Sequence, residues 1–196
     1  MKNIIAPIAV ALNGIRIFPL WLLLCIKVYV LRDEYSFLFK KDLERSHMGF
    51  WSALYYRPYL KSILYHRLGF VSYPLKLICG SFPLYIPCEK ILMGGVELEH
   101  PYNTFLNASS IGENFTAMHS VTIGRRSGRL GEKLPVIGNN VFIGCGACIL
   151  GHISIGSNVK IGANAVVLKD VPDNSTVIGN PAYIVKLNGE KVYIKL

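Results

Sequence analysis

The chain has 196 residues, 21 Lys and Arg against 12 Asp and Glu, and a formal net charge of +9. An apolar fraction of 52% with only 17% charged residues excludes a disordered chain and allows one compact domain plus a smaller segment. The excess charge carries no accompanying nucleic-acid motif, so it points to a membrane surface or an acidic ligand and not to nucleic acid.

Residues 4–31 are mostly apolar but are interrupted by Asn13, Gly14, Arg16, Pro19 and Lys27. The longest clean stretch, Ile17 to Ile26, falls short of the roughly 20 residues that span a bilayer. Lys2 before an apolar run has the outline of a secretion signal, but Asn13-Gly14-Ile15-Arg16 makes a poor cleavage region. The expected location is therefore the cytoplasm. Two readings of the segment stay open: helices buried against other subunits, or a stretch lying at the inner face of the cytoplasmic membrane. Phe50 to Leu68 reads as a helix rich in Tyr and Arg, with a kink or break at Pro58. Residues 1–84 form this helical N-terminal segment, and the prolines 74, 83 and 87 mark the passage out of it.

From there the chain keeps a beat of six. Ile137, Ile143, Ile149, Ile155, Ile161 and Val167 recur at that interval, as do Ile111, Ala117 and Ile123 upstream. Gly follows the aliphatic position at 111, 123, 137, 143, 155 and 161, and that Gly, or an Asn in pairs such as Asn139-Asn140 and Ser157-Asn158, lets the backbone turn. Three hexads close one triangular coil of eighteen residues, and coils stack at about 4.8 Å. A sandwich of short strands would alternate with period two and could not hold this phase. The beat breaks once, between Ile123 and Ile137, where residues 125–135 read as an exposed loop with four basic side chains. The loop is either solvated or a lid over an anionic ligand.

Five cysteines without framework spacing suggest reduced thiols. Cys145-Gly-Ala-Cys148 has CxxC spacing, but it falls within one hexad and no second ligand pair exists, so packing is the expected role and no metal is expected.

VTIG at 121–124, VIGNNVFIGCGACILGHISIGSNVKIGANAVVLKDVP at 136–172 and IGNPA at 178–182 resemble the hexapeptide-repeat acyltransferases. The nearest likeness is the serine acetyltransferase type, including the branch that acetylates sugars in surface polysaccharides. The resemblance implies a mainly β fold, a left-handed parallel β-helix over 85–187 after the helical segment, with 188–196 as a C-terminal tail. It also implies a homotrimer, or a dimer of trimers, with acetyl-CoA in the groove between neighbouring subunits.

Acetyl transfer to a hydroxyl needs a base, a held thioester and donors for the developing oxyanion. The resemblance makes His100 the general base, with direct attack of the acceptor on the thioester and Glu99 orienting the imidazole. Repeat phase adds His119. Leu98 and Ala117 are equivalent inward positions one coil apart, so His100 and His119, each two residues on, stack about 5 Å apart. The gap of nineteen residues is one coil plus a one-residue bulge. Gly144, Gly146, Ala147, Gly162 and Ala163 offer a face without bulk for a pantetheine arm. Pro181 matches the family's Gly-x-Pro-Ala segment, but Tyr183 stands where a basic residue helps hold the nucleotide phosphates, leaving Lys169 or Lys186 to substitute. Tyr85 and Leu134 stand where the serine enzymes carry an Asp and a second His. These two losses point to a sugar hydroxyl in surface polysaccharide or glycan biosynthesis as the expected acceptor. Serine O-acetyltransferase, feeding cysteine synthesis, is the alternative; a non-enzymatic scaffold and an amino-sugar N-acetyltransferase are more distant ones.

Overall fold

The computed structural model describes residues 2–27, 34, 38–80, 84–87, 91–127, 131 and 133–196. The expectations that fell on Cys88, on residues 28–31 of the apolar segment and on loop residues 128–130 and 132 lie outside the described residues. The chain divides into two compact units, Met1–Phe82 and Pro83–Leu196.

The first unit is helical. Helix α1 (Lys2–Cys25) runs unbroken through Pro19, which the sequence treats as an interruption. It is followed by α2 (Phe39–Arg45), α3 (Phe50–Tyr56) and α4 (Tyr59–Leu68). The break between α3 and α4 falls at Arg57-Pro58, as the sequence suggests. A 3-10 turn (Phe70–Leu75) leads into the short α5 (Lys76–Cys79). Ile17, Leu20, Leu54, Leu60 and Ile63 are fully buried in this unit. Within it a buried ion pair joins Arg67 to Asp42, with Nε and Nη2 donating to the same carboxylate oxygen at 3.1 and 3.0 Å. Both side chains are without solvent exposure, so each depends on the other for its solvation.

The second unit is a parallel β-helix of short strands. The first face stacks β1 (Leu84–Tyr85), β4 (Thr104–Leu106), β7 (Thr122–Gly124), β10 (Cys148–Leu150) and β13 (Val166–Val167). The second stacks β2 (Ile91–Leu92), β5 (Ser110–Ile111), β8 (Val136–Ile137) and β11 (Ser154–Ile155). The third stacks β3 (Glu97–Leu98), β6 (Thr116–Ala117), β9 (Phe142–Ile143), β12 (Lys160–Ile161) and β14 (Ser175–Ile178). Every six-beat aliphatic residue points inward: Ile111, Ala117, Ile123, Ile137, Ile143, Ile149, Ile155, Ile161 and Val167 are at most 3% exposed.

One corner carries an asparagine ladder. Asn114, Asn140, Asn158, Asn174 and Asn188 all hold positive φ. Each of the first four donates its side-chain amide to the next one along, at 3.0–3.2 Å. Asparagine suits this place because it tolerates the left-handed conformation and its amide can bond to the neighbouring coil.

Residues 188–196 differ from the expected tail. β15 (Tyr183–Leu187) and β16 (Glu190–Lys195) form a hairpin that extends the third face in antiparallel sense. Asn188-Gly189, both at positive φ, supply the turn, a two-residue signature that the repeat beat does not reveal.

Candidate active site

The third face meets the first at a corner that holds most of the residues singled out by the sequence. The register Leu98–Ala117–Ile143–Ile161–Val177 sets its levels. Past it His119, Cys145 and Ala163 form one column, Gly146 N–H donating to His119 C=O and Asn164 N–H to Cys145 C=O, while Tyr102, whose C=O accepts from Ser120 N–H, takes the place above His119 and His100 lies in the extra turn before it. Glu99, Met118, Gly144, Gly162 and Ile178 form the column beside it. Leu98 pairs with Ala117, as repeat phase predicts, and Glu99 N–H donates to Ala117 C=O, so the chain enters the corner that holds His100 beside the coil of His119. Both imidazoles are exposed.

The single extra residue inferred for this coil resolves into two opposite irregularities. Leu98 and Leu106 are partners of Ala117 and Ile123, yet eight residues separate the first pair where six separate the second. Leu106 to Ile111 is then one residue short, and the two deviations leave a net excess of one. The surplus widens the corner at 99–103. His100 sits there at φ 49° and Asn103 at φ 54°. Pro101 is buried, and a tight turn lets Tyr102 N–H donate to His100 C=O at 2.6 Å. Ser120 N–H donates to Tyr102 C=O at 2.9 Å, tying the widened corner to the coil beside it. A β-carbon residue at positive φ costs free energy, so His100 is held in place by this frame and not by its own preference.

The column below is nearly bare. A β-carbon on Gly144 would lie 2.7 Å from the Ala163 nitrogen, and one on Gly162 would lie 3.0 Å from Ile178 Cγ2. Gly146, at φ 69°, has no room against the Asn164 side chain. These glycines are demanded by coil-to-coil approach, and the same absence of side chains leaves the outer surface of the corner open. Ala163 is exposed there. Pro181, exposed after the cis Asn180–Pro181 bond, stands at the foot of the column, and Lys186 on β15 is exposed on the same face.

Residues 135–169 match the family described as Bacterial transferase hexapeptide (six repeats). The chain is 46% identical over 92 residues to serine acetyltransferase 1, chloroplastic, of Arabidopsis thaliana, a segment covering 46% of this chain and 29% of that protein. Soybean serine acetyltransferase, solved as the apoenzyme and with serine, superposes with a TM-score of 0.65 at 31% identity, over 77% of this chain and 69% of the soybean one. The Brucella abortus strain S19 serine acetyltransferase in complex with coenzyme A gives a TM-score of 0.62 at 27% identity, over 82% of this chain and 70% of that one. This chain belongs to the hexapeptide-repeat acyltransferases of the serine acetyltransferase type. Its β-helix is accordingly the left-handed one. The segments matched in the curated serine acetyltransferases make up two-fifths or less of those proteins' length.

Membership in this acyltransferase type corrects the acceptor. The relatives and solved structures are serine acetyltransferases, which overturns the sugar hydroxyl of a surface polysaccharide. The two residues behind that expectation have packing roles in this fold. Leu134 is 3% exposed and fills the interior where the loop rejoins the coil, and Tyr85 lies on the first face with its ring 5.9 Å from Phe105.

Two cofactor assignments also change. Ala147 is fully buried at an inward position, its N–H donating to Gly144 C=O and its C=O accepting from Thr122 N–H, so it has nothing left to offer a ligand. Lys169 is exposed but belongs to another corner, since Ile149 pairs with Val167 and Gly151 is thereby its neighbour. Glu99 is exposed beside His100 and makes no side-chain hydrogen bond to it among the described residues, so no carboxylate holds the imidazole in this arrangement. Cys145, half-buried one spacing from His119, is a site neighbour that sequence reasoning left aside, although both stand two places past an inward residue. Among the described residues no cluster of His, Cys, Asp or Glu is placed to hold a metal ion.

Proposed function

We propose that this protein is a serine O-acetyltransferase, transferring the acetyl group of acetyl-CoA to the hydroxyl of L-serine, a step that feeds cysteine synthesis. The observation that carries the reading is the corner itself: an exposed histidine fixed at positive φ in the widened turn of one coil, with a second exposed histidine on the neighbouring coil, at the head of a bare column on a serine acetyltransferase-type coil. Acetyl-CoA lies along that column with its thioester toward His100. Gly144, Gly146, Gly162 and Ala163 let the pantetheine arm approach, and Pro181 and Lys186 stand toward the nucleotide end.

In the reaction the neutral imidazole of His100 takes the hydroxyl proton as the serine oxygen bonds to the thioester carbon. The carbonyl electron pair moves to oxygen, then returns as the carbon–sulfur bond breaks. The departing CoA thiolate recovers the proton from the imidazolium, giving O-acetylserine and CoA. In this reading His119 hydrogen-bonds the reacting groups and Glu99 lends negative charge near the imidazolium. Exposed apolar residues on the outer faces of the coil, Ile91 and Val136 among them, support assembly with further copies of the chain.

The test is thiol release from acetyl-CoA with L-serine, run on the protein and on His100→Ala. Serine-dependent release that vanishes in the variant supports the reading. A protein that binds acetyl-CoA and releases no thiol with serine overturns it.

A further inference from the structure

Helix α1 carries an apolar stripe that the described residues of its own unit leave exposed. Leu12, Ile15, Phe18 and Leu22, and Ile26 just past its end, are 40–76% exposed. At 100° per residue these five fall within one 120° arc, while the fully buried Ile17 and Leu20 lie on the opposite side. Beside the stripe an open groove of ≈ 550 Å³ is lined by Val10, Ala11, Gly14, Ile15, Phe18 and Trp51. The Phe18 ring lies 5.6 Å from Trp21, tilted by 31°, and Trp21 lies 6.0 Å from Trp51, so aromatic rings border the apolar surface. No acidic residue occurs in α1, and residues 1–82 carry eleven Lys and Arg against four Asp and Glu.

We infer that this face of α1 docks onto an anionic lipid surface, with the helix lying in the plane of the interface. Charge decides between occupants. A second copy would bring two strongly basic units together, whereas an anionic bilayer offers both the apolar boundary and the counter-charge. The helix lies on the bilayer and does not cross it, since among the described residues no helix is long and apolar enough to do so. Bordering Trp and Phe rings suit the headgroup level, where an aromatic body meets both apolar and wet surroundings. The inference is independent of the acyl-transfer chemistry.

The experiment floats the full chain on vesicles of phosphatidylcholine with roughly one-third phosphatidylglycerol, and on phosphatidylcholine alone, at low and high salt. The only two tryptophans, Trp21 and Trp51, report on this face directly by their emission. Expected are binding to the anionic vesicles, weakening with salt, a blue shift in emission, and an affinity loss of about tenfold or more in Ile15→Asp and Leu22→Asp. Both positions are exposed, and an unchanged far-ultraviolet circular dichroism melt checks that the fold survives. No binding by the unaltered protein, or equal binding by the variants, overturns the inference. A change in the variants' sedimentation velocity without vesicles assigns the face to a second copy and also overturns it.

Discussion

Replacing His100 by Asn separates its chemistry from its backbone. The residue is held at φ 49°, and in this chain the other β-carbon residues at positive φ are, apart from His47 and Ser120, all asparagines among the described residues. Asparagine therefore fits the corner at least as well as histidine, while alanine costs roughly 1 kcal/mol there. A general base contributes about 10²- to 10⁴-fold, which is about 3–5 kcal/mol of transition-state stabilisation. His100→Asn should accordingly lose that factor in kcat with L-serine while its melting temperature and its KM for acetyl-CoA stay put. His100→Ala should lose the same factor and in addition melt about 2–4 °C lower. Continuous thiol detection and differential scanning fluorimetry supply both numbers. A His100→Asn protein that keeps kcat within about threefold would refute the assignment, because a general-base term of the expected size would then not rest on His100.

Coil packing, the ladder and the buried ion pair give three further expectations. Gly144→Ala pushes a methyl to 2.7 Å from a backbone nitrogen that cannot yield, and should cost about 1–3 kcal/mol, whereas Gly124→Ala, with nothing within 4 Å, should be neutral or slightly stabilising. Paired thermal melts decide this. Asn158→Ala removes two ladder hydrogen bonds and a residue suited to φ 58°, costing about 1–2 kcal/mol, and Asn158→Gly should recover the backbone share, as chemical denaturation will show. Asp42→Ala leaves the Arg67 guanidinium buried without its carboxylate, which should destabilise the helical unit by about 3–5 kcal/mol in urea titrations followed by tryptophan fluorescence.

Much of this was legible because hexad phase is a geometric constraint. A residue's distance from an inward aliphatic position fixes its face and corner, which is why pairing Leu98 with Ala117 put His100 and His119 at the same corner of successive coils. The same counting, applied to Ile149 and Val167, would have moved Lys169 off the column and turned Ala147 inward. Phase fails where two irregularities cancel: the widened corner at 99–103 and the shortened step from Leu106 to Ile111 look together like one inserted residue. Acceptor identity was misread because Tyr85 and Leu134 were weighed as missing polar groups, when the fold uses them for ring packing and core filling. The final hairpin escaped for another reason, since its strands are antiparallel and follow turn chemistry, not the beat. Helix α1 continues through Pro19 because the burial of Ile17 and Leu20 on either side holds the backbone against the proline's local cost.

That hairpin bears on how coils of this kind meet one another. A parallel coil offers its last strand's unpaired backbone groups to any further strand, including one from a neighbouring molecule, so nothing in the repeat itself says where to stop. On the third face β15 and β16 reverse direction, and the outermost strand presents Glu190, Lys191 and Lys195, all exposed. Charged, antiparallel and unsuited to the six-residue register, this last strand closes the third face against end-to-end growth into fibres.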